Sequence, residues 1–127
     1  MMGGPGETRE TVAEGIANVL QLRGAASFIF LGIRILPGTP LEERARRDGL
    51  LAPDADLLKP VYYFSPAIDR DWLHETLLAA FKPHRHVVYP PDAFDSGLAF
   101  LHRLGFSGMS IDLLLKKSDR RGGPSAK

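Results

Sequence analysis

The chain reads as an α/β protein, and three features of its 127 residues predict this. Between residues 9 and 23, Val12, Ile16, Val19 and Leu20 recur at helical spacing and form one apolar stripe. Residues 27–36 are then a nearly continuous apolar run, rich in β-branched and aromatic side chains. Such a run suits a strand covered on both faces, as in a parallel sheet. A helix signature follows directly, so helix, strand and helix alternate as they do in α/β units.

Each element carries its own punctuation. Met1-Met2-Gly3-Gly4-Pro5-Gly6-Glu7-Thr8 is a turn leading into the first helix, and Gly24 ends that helix. Pro37-Gly38 breaks the strand. Thr39 then stands where a cap is needed, Pro40 fits the first helical position, and Glu42 is spaced to complete a capping box. This short helix carries Arg44, Arg46 and Arg47 and stops at Asp48-Gly49. Residues 50–59 read as loop or a helical turn, and residues 61–64 as a short strand ended by Ser65-Pro66. Asp69 or Asp71 starts a helix with Trp72, Leu73, Leu77, Leu78 and Phe81 on its buried side. Residues 84–89 are extended or irregular, and Pro90-Pro91 forces an extended turn. Asp92 is placed to cap a helix striped by Phe94, Leu98, Leu101 and Leu104. Residues 105–108 are a loop, residues 109–117 a last short helix, and residues 118–127 a polar, flexible tail. This amounts to about five helices around a small sheet.

Composition narrows the function classes. A chain of this length buries about two-thirds of its unfolded surface and forms a real core. Sixteen Lys and Arg against fifteen Asp and Glu leave a formal charge of +1. That excludes strong global attraction to nucleic acid or an anionic membrane. No stretch approaches the roughly 20 apolar residues of a membrane span, and residues 1–8 are unlike a signal peptide, so a cytoplasmic protein is the expectation. The sequence has no cysteine, which rules out from this chain disulfides, thiolate zinc sites, a cysteine nucleophile and a cysteine-ligated cluster.

Few residues carry chemistry. The Gly3–Gly6 turn before a helix exposes backbone N–H groups and permits close approach of a ligand. It is not a phosphate loop, because no Gly-Lys-Ser/Thr follows; a plain strand-to-helix turn is the simpler reading. Arg34 is a lone cation in the apolar run, on the same side as Phe28, Phe30 and Gly32. Buried, it needs an anion such as a ligand carboxylate; otherwise it pairs with a structural acid or reaches solvent at the strand end. His84 and His86 share a strand face, but no third metal ligand accompanies them or His74. Asp92 and Asp95 read as helix-start acids, and Tyr62, Tyr63 and Phe64 as core. Lys116, Lys117, Arg120 and Arg121 form a modest basic end.

Two of these stretches together resemble the radical S-adenosylmethionine proteins, in particular the cobalamin-binding group with members associated with lipid biosynthesis. In that family a Gly-x-Ile-x-Gly-x-x-Glu motif ends the fifth barrel strand. Gly4-Pro5-Gly6-Glu7 matches its second half, with Met2 in place of the Ile and the first glycine falling before residue 1. Gly32-Ile33-Arg34-Ile35-Leu36-Pro37-Gly38-Thr39-Pro40-Leu41 is similar to the sixth strand and its exit turn. Pro60-Val61-Tyr62-Tyr63-Phe64-Ser65-Pro66 and Gly105-Phe106-Ser107-Gly108-Met109-Ser110 resemble the extension after the barrel.

The resemblance implies a fragment of a partial (βα)6 TIM-like barrel, from the end of strand five through strand six, over residues 1–50. It implies an α/β extension over 51–117 and a tail over 118–127. By the same resemblance Met2, Gly3, Gly4 and Glu7 would contact S-adenosylmethionine, the Leu36-Pro37 backbone would border it, and Arg34 would stand at the barrel mouth. The family's CxxxCxxC cluster motif has no counterpart in this chain. The chain is therefore expected to resemble the C-terminal third of such an enzyme (a split gene, a truncation or an expressed fragment), incompetent for radical chemistry alone.

A strand built for neighbours on both edges and lacking them favours pairing with another chain. Self-association, or a partner supplying the missing strands, is the expectation. Two rival readings stand beside it: a non-catalytic binding or oligomerisation module derived from that fold, and a small metal enzyme or hydrolase using His84 and His86.

Overall fold

A computed structural model of the protein describes residues 1–108 and 110–115. Met109, the end of the last predicted helix and the basic tail lie outside the described residues. The first helix, α1 (Arg9–Gln21), starts on Thr8. The Thr8 hydroxyl accepts the Thr11 N–H at 3.4 Å, and the Thr11 hydroxyl accepts the Thr8 N–H at 2.8 Å. This reciprocal box satisfies amides that a helix start leaves without partners. The helix ends at Gln21, two residues before the expected limit, and Leu22 is already extended.

The run 27–36 is not one strand, which corrects the sequence reading. It divides into β1 (Ser27–Phe28) and β2 (Ile33–Arg34), with Gly32 between them at φ +72°. A Cβ at Gly32 would stand 3.0 Å from the Tyr63 carbonyl oxygen, so the close passage of residue 63 and the left-handed backbone both call for glycine. β1 pairs in parallel with β4 (Val87–Val88), Ser27 opposite Val87. On the other edge the Met2 N–H donates to the Phe30 carbonyl at 2.8 Å, and the Gly32 N–H donates to the Met2 carbonyl at 2.7 Å. Met2, residues 27–32 and β4 therefore lie side by side, with α1 as the crossover that a parallel connection requires. Beyond Gly32, β2 pairs antiparallel with β3 (Tyr62–Tyr63), Arg34 opposite Tyr62. The architecture is mixed α/β, with far more helix than strand and two small sheets.

The remaining helices stand where the sequence predicts them, with four corrections. In α2 (Pro40–Arg47) the Thr39 hydroxyl accepts the Glu42 N–H, but the Glu42 carboxylate reaches past Thr39 to the Gly38 N–H at 2.8 Å, so the box is not reciprocal. In α3 (Arg70–Phe81) the cap is Asp69, which accepts the Trp72 N–H at 2.7 Å. Leu73, Leu77 and Phe81 are buried there, whereas Leu78 is exposed, because it sits about 100° around the helix from Leu77. In α4 (Pro91–Arg103) Asp92 is not the cap: Pro90 holds that position without a side-chain bond, and Asp92 lies in the first turn. Leu104, expected on the α4 stripe, is exposed at its C-cap. α5 (Ser110–Leu115) closes the described chain.

Two apolar clusters hold the molecule. Met2, Val12, Ile29, Leu73, Leu77, Phe81 and Val87 form the first, joining α1 and α3 across the parallel strands and drawing on residues from both sides of position 50. Ile35, Ala45, Leu51, Leu57 and Tyr63 form the second, beneath α2. Leu51 and Leu57 show that the segment 50–59 contributes to the core. No helix among the described residues is long and apolar enough to cross a membrane.

Candidate functional site

The Gly3–Glu7 turn is fastened from three directions. The Gly3 carbonyl accepts the Ser65 N–H at 2.8 Å, and the buried Ser65 hydroxyl donates to the Glu7 carbonyl at 2.9 Å. Gly3 itself lies under Phe64. Met2 is buried against Gly15 of α1. The N–H groups that the sequence reading left open to a ligand have a partner: those of Gly3 and Gly4 both donate to Oε2 of Glu7, the Gly4 bond at 3.1 Å. A carboxylate already sits where an anion would bind, so an external anion at these amides must displace Glu7.

Arg34, Leu36 and Pro37 stand on the far side of the Gly32 bend, in and after β2. Arg34 is exposed, not buried, and has no acidic partner among the described residues. The guanidinium side of β2 thus faces solvent at the strand end, and no structural acid pairs with it among the described residues. Its register partner Tyr62 is 59% exposed, which also removes Tyr62 from the expected core, while Tyr63 is buried. Along 27–36 the residues alternate: Ile29 and Ile35 are covered, whereas Phe28, Phe30 (50% exposed) and Leu36 (49%) are open. The expectation of cover on both faces is therefore half met. One face has a core beneath it, and the other carries apolar side chains and one cation.

The His84 and His86 rings lie 5.9 Å apart between centroids, and His86 Nε2 is buried without a hydrogen-bond partner among the described residues. No group of three or more potential metal ligands exists among the described residues. His74 instead bonds through Nδ1 to the Tyr89 hydroxyl at 2.6 Å. Burial raises the Tyr89 pKa above its ordinary 10, with the Arg70 charge opposing that rise.

Sequence reasoning missed two concavities, because their walls join distant segments. One, about 540 Å3, runs between β4, α4 and α5. The other, about 720 Å3, lies along α3 beside Lys82, His84 and Arg85. Arg85, Val87 and Tyr89 border both.

No protein family, curated protein or solved structure matches this chain.

Proposed function

We propose that the chain acts as the C-terminal portion of a radical S-adenosylmethionine enzyme. In this reading it is a piece of the partial barrel, incompetent alone and completed by a polypeptide that carries the cluster cysteines. The observation that carries the reading is adjacency. Met2, beside the Gly4–Glu7 stretch that resembles the family, bonds through its backbone to Phe30 and to Gly32, the first residue of the second such stretch, in a single parallel bridge opposite Leu31. The two segments are joined by α1, as consecutive barrel strands would be, although the residues after Gly32 pair antiparallel with β3.

The residues fit S-adenosylmethionine unevenly. Arg34 has a free cation for a ligand carboxylate, and the exposed Leu36-Pro37 segment follows it. The Gly3 and Gly4 amides fit only where Glu7 has swung away. Bound beside a reduced cluster, S-adenosylmethionine supplies the radical chemistry. This chain's part is to orient the ligand and exclude water.

A second reading, a binding or oligomerisation module without catalysis, draws on the open face of Phe28, Phe30, Leu36 and Tyr62. Anaerobic purification of the tagged chain from its host, with mass spectrometry and iron analysis, separates the two. The first reading expects a stoichiometric partner bearing CxxxCxxC and iron in the complex. Self-association alone, with no iron and no such partner, overturns it in favour of the second.

A further inference from the structure

We infer that the groove between β4, α4 and α5 is a binding site for a single-chain fatty carboxylate, with Arg85 holding the carboxylate and the apolar walls holding the chain. This inference is independent of the radical-enzyme reading. The groove's volume, about 540 Å3, lies in the range of roughly 300–1,000 Å3 typical of small-molecule pockets. Its walls include Val88, Leu98, Leu101 and Leu114.

Two further observations define the occupant. Arg85 stands exposed at the rim of the groove with no acidic partner among the described residues, so its guanidinium is available to an anionic end of the ligand. Gly97 sits in the middle of α4, where glycine costs the helix about 0.5–1 kcal/mol relative to alanine. Neither packing nor backbone requires it: its φ is not positive, and a Cβ there would meet nothing within 4 Å. Gly97 lines the groove, and its missing side chain keeps the channel deep enough for an alkyl chain. Among the described residues α4 is nowhere fully buried: on its groove side Leu98 and Leu101 are half-buried, and Phe94 lies edge-on against Phe28 at one end.

Equilibrium dialysis of the full chain against radiolabelled decanoate, below its micelle concentration, tests this. Expected are saturable binding of one equivalent, loss of binding in Gly97→Leu, and weakening by about tenfold or more in Arg85→Gln, the loss of one charge-assisted hydrogen bond. The uncharged decanamide should bind wild type and Arg85→Gln alike. Gly97→Leu is expected to melt no lower than wild type. Should it fail to fold, methyl NMR of the wild type reads the same site, with decanoate shifting the Leu98, Leu101 and Leu114 methyls. Absence of saturable binding, binding untouched by Gly97→Leu in a folded variant, or binding removed by Phe30→Ser instead would overturn the inference.

Discussion

At Gly3 the backbone has φ +91°, and a Cβ would stand 2.6 Å from Cε2 of Phe64. At Gly6, three residues on, φ is +77° and a Cβ would meet nothing within 4 Å. Both alanine substitutions incur the left-handed penalty, but only the first also drives a methyl into an aromatic ring. Gly3→Ala is expected to destabilise by about 2–4 kcal/mol and Gly6→Ala by about 1 kcal/mol, read as urea midpoints at constant slope. Equal losses would mean that Phe64 moves aside freely. The glycines were visible in the sequence as a turn. That Phe64, sixty-one residues away, crowds the place of a Gly3 side chain was not, because sequence spacing carries no information about such a contact.

At the scale of elements, α1 and α2 begin alike. A glycine N–H donates to the carboxylate four residues later: Gly3 to Glu7, and Gly38 to Glu42. The Glu42 carboxylate lies in the first turn of α2, where the backbone dipole favours it, whereas Glu7 stands before the α1 cap and reaches back to the turn. For Glu42 the Gly38 N–H, and after it Arg46, hold the carboxyl pKa below its ordinary 4.5. The folded value is the lower one. The contribution is therefore complete above pH 4.5 and fades as pH falls through the folded value. The Gly38 amide proton resonance should titrate with a midpoint below 4.5, and Glu42→Gln should abolish that titration. A midpoint at or above 4.5 would show that the bond is not kept in solution. The cap at Thr39 was legible from local spacing; the reach of Glu42 past it was not, since a cap box and this longer reach use the same residue.

Across the whole molecule, one face of residues 27–36 rests on the cores and the other faces outward with Phe28, Phe30 and Leu36. Single exposed apolar residues are ordinary, but Phe28 and Phe30 before the Gly32 bend and Leu36 after it are three within nine residues, which favours association. Sedimentation velocity at tens of micromolar should show wild type heavier than its 13.9 kDa chain mass and growing with concentration. Phe30→Ser with Leu36→Ser should return it to monomer. Wild type that stays monomeric over that range sinks the prediction.

The start of α1 at residue 9, the cap at Thr39, the stripe of α1 and the mixed α/β class could be read from the chain alone, because periodicity and local caps are settled within a turn or two of sequence; the choice of Asp69 over Asp71 came from the structure. Tertiary contacts decided the rest. Tyr63, passing close to Gly32, breaks the long apolar run into two strands with different partners. The placement of the cores beneath Ile29 and Ile35 leaves Phe30, Arg34 and Leu36 to solvent. The groove exists only where β4 meets α4 and α5. In each case the determining atoms belong to residues far apart in sequence, and apolarity prescribes that a side chain be covered without prescribing what covers it.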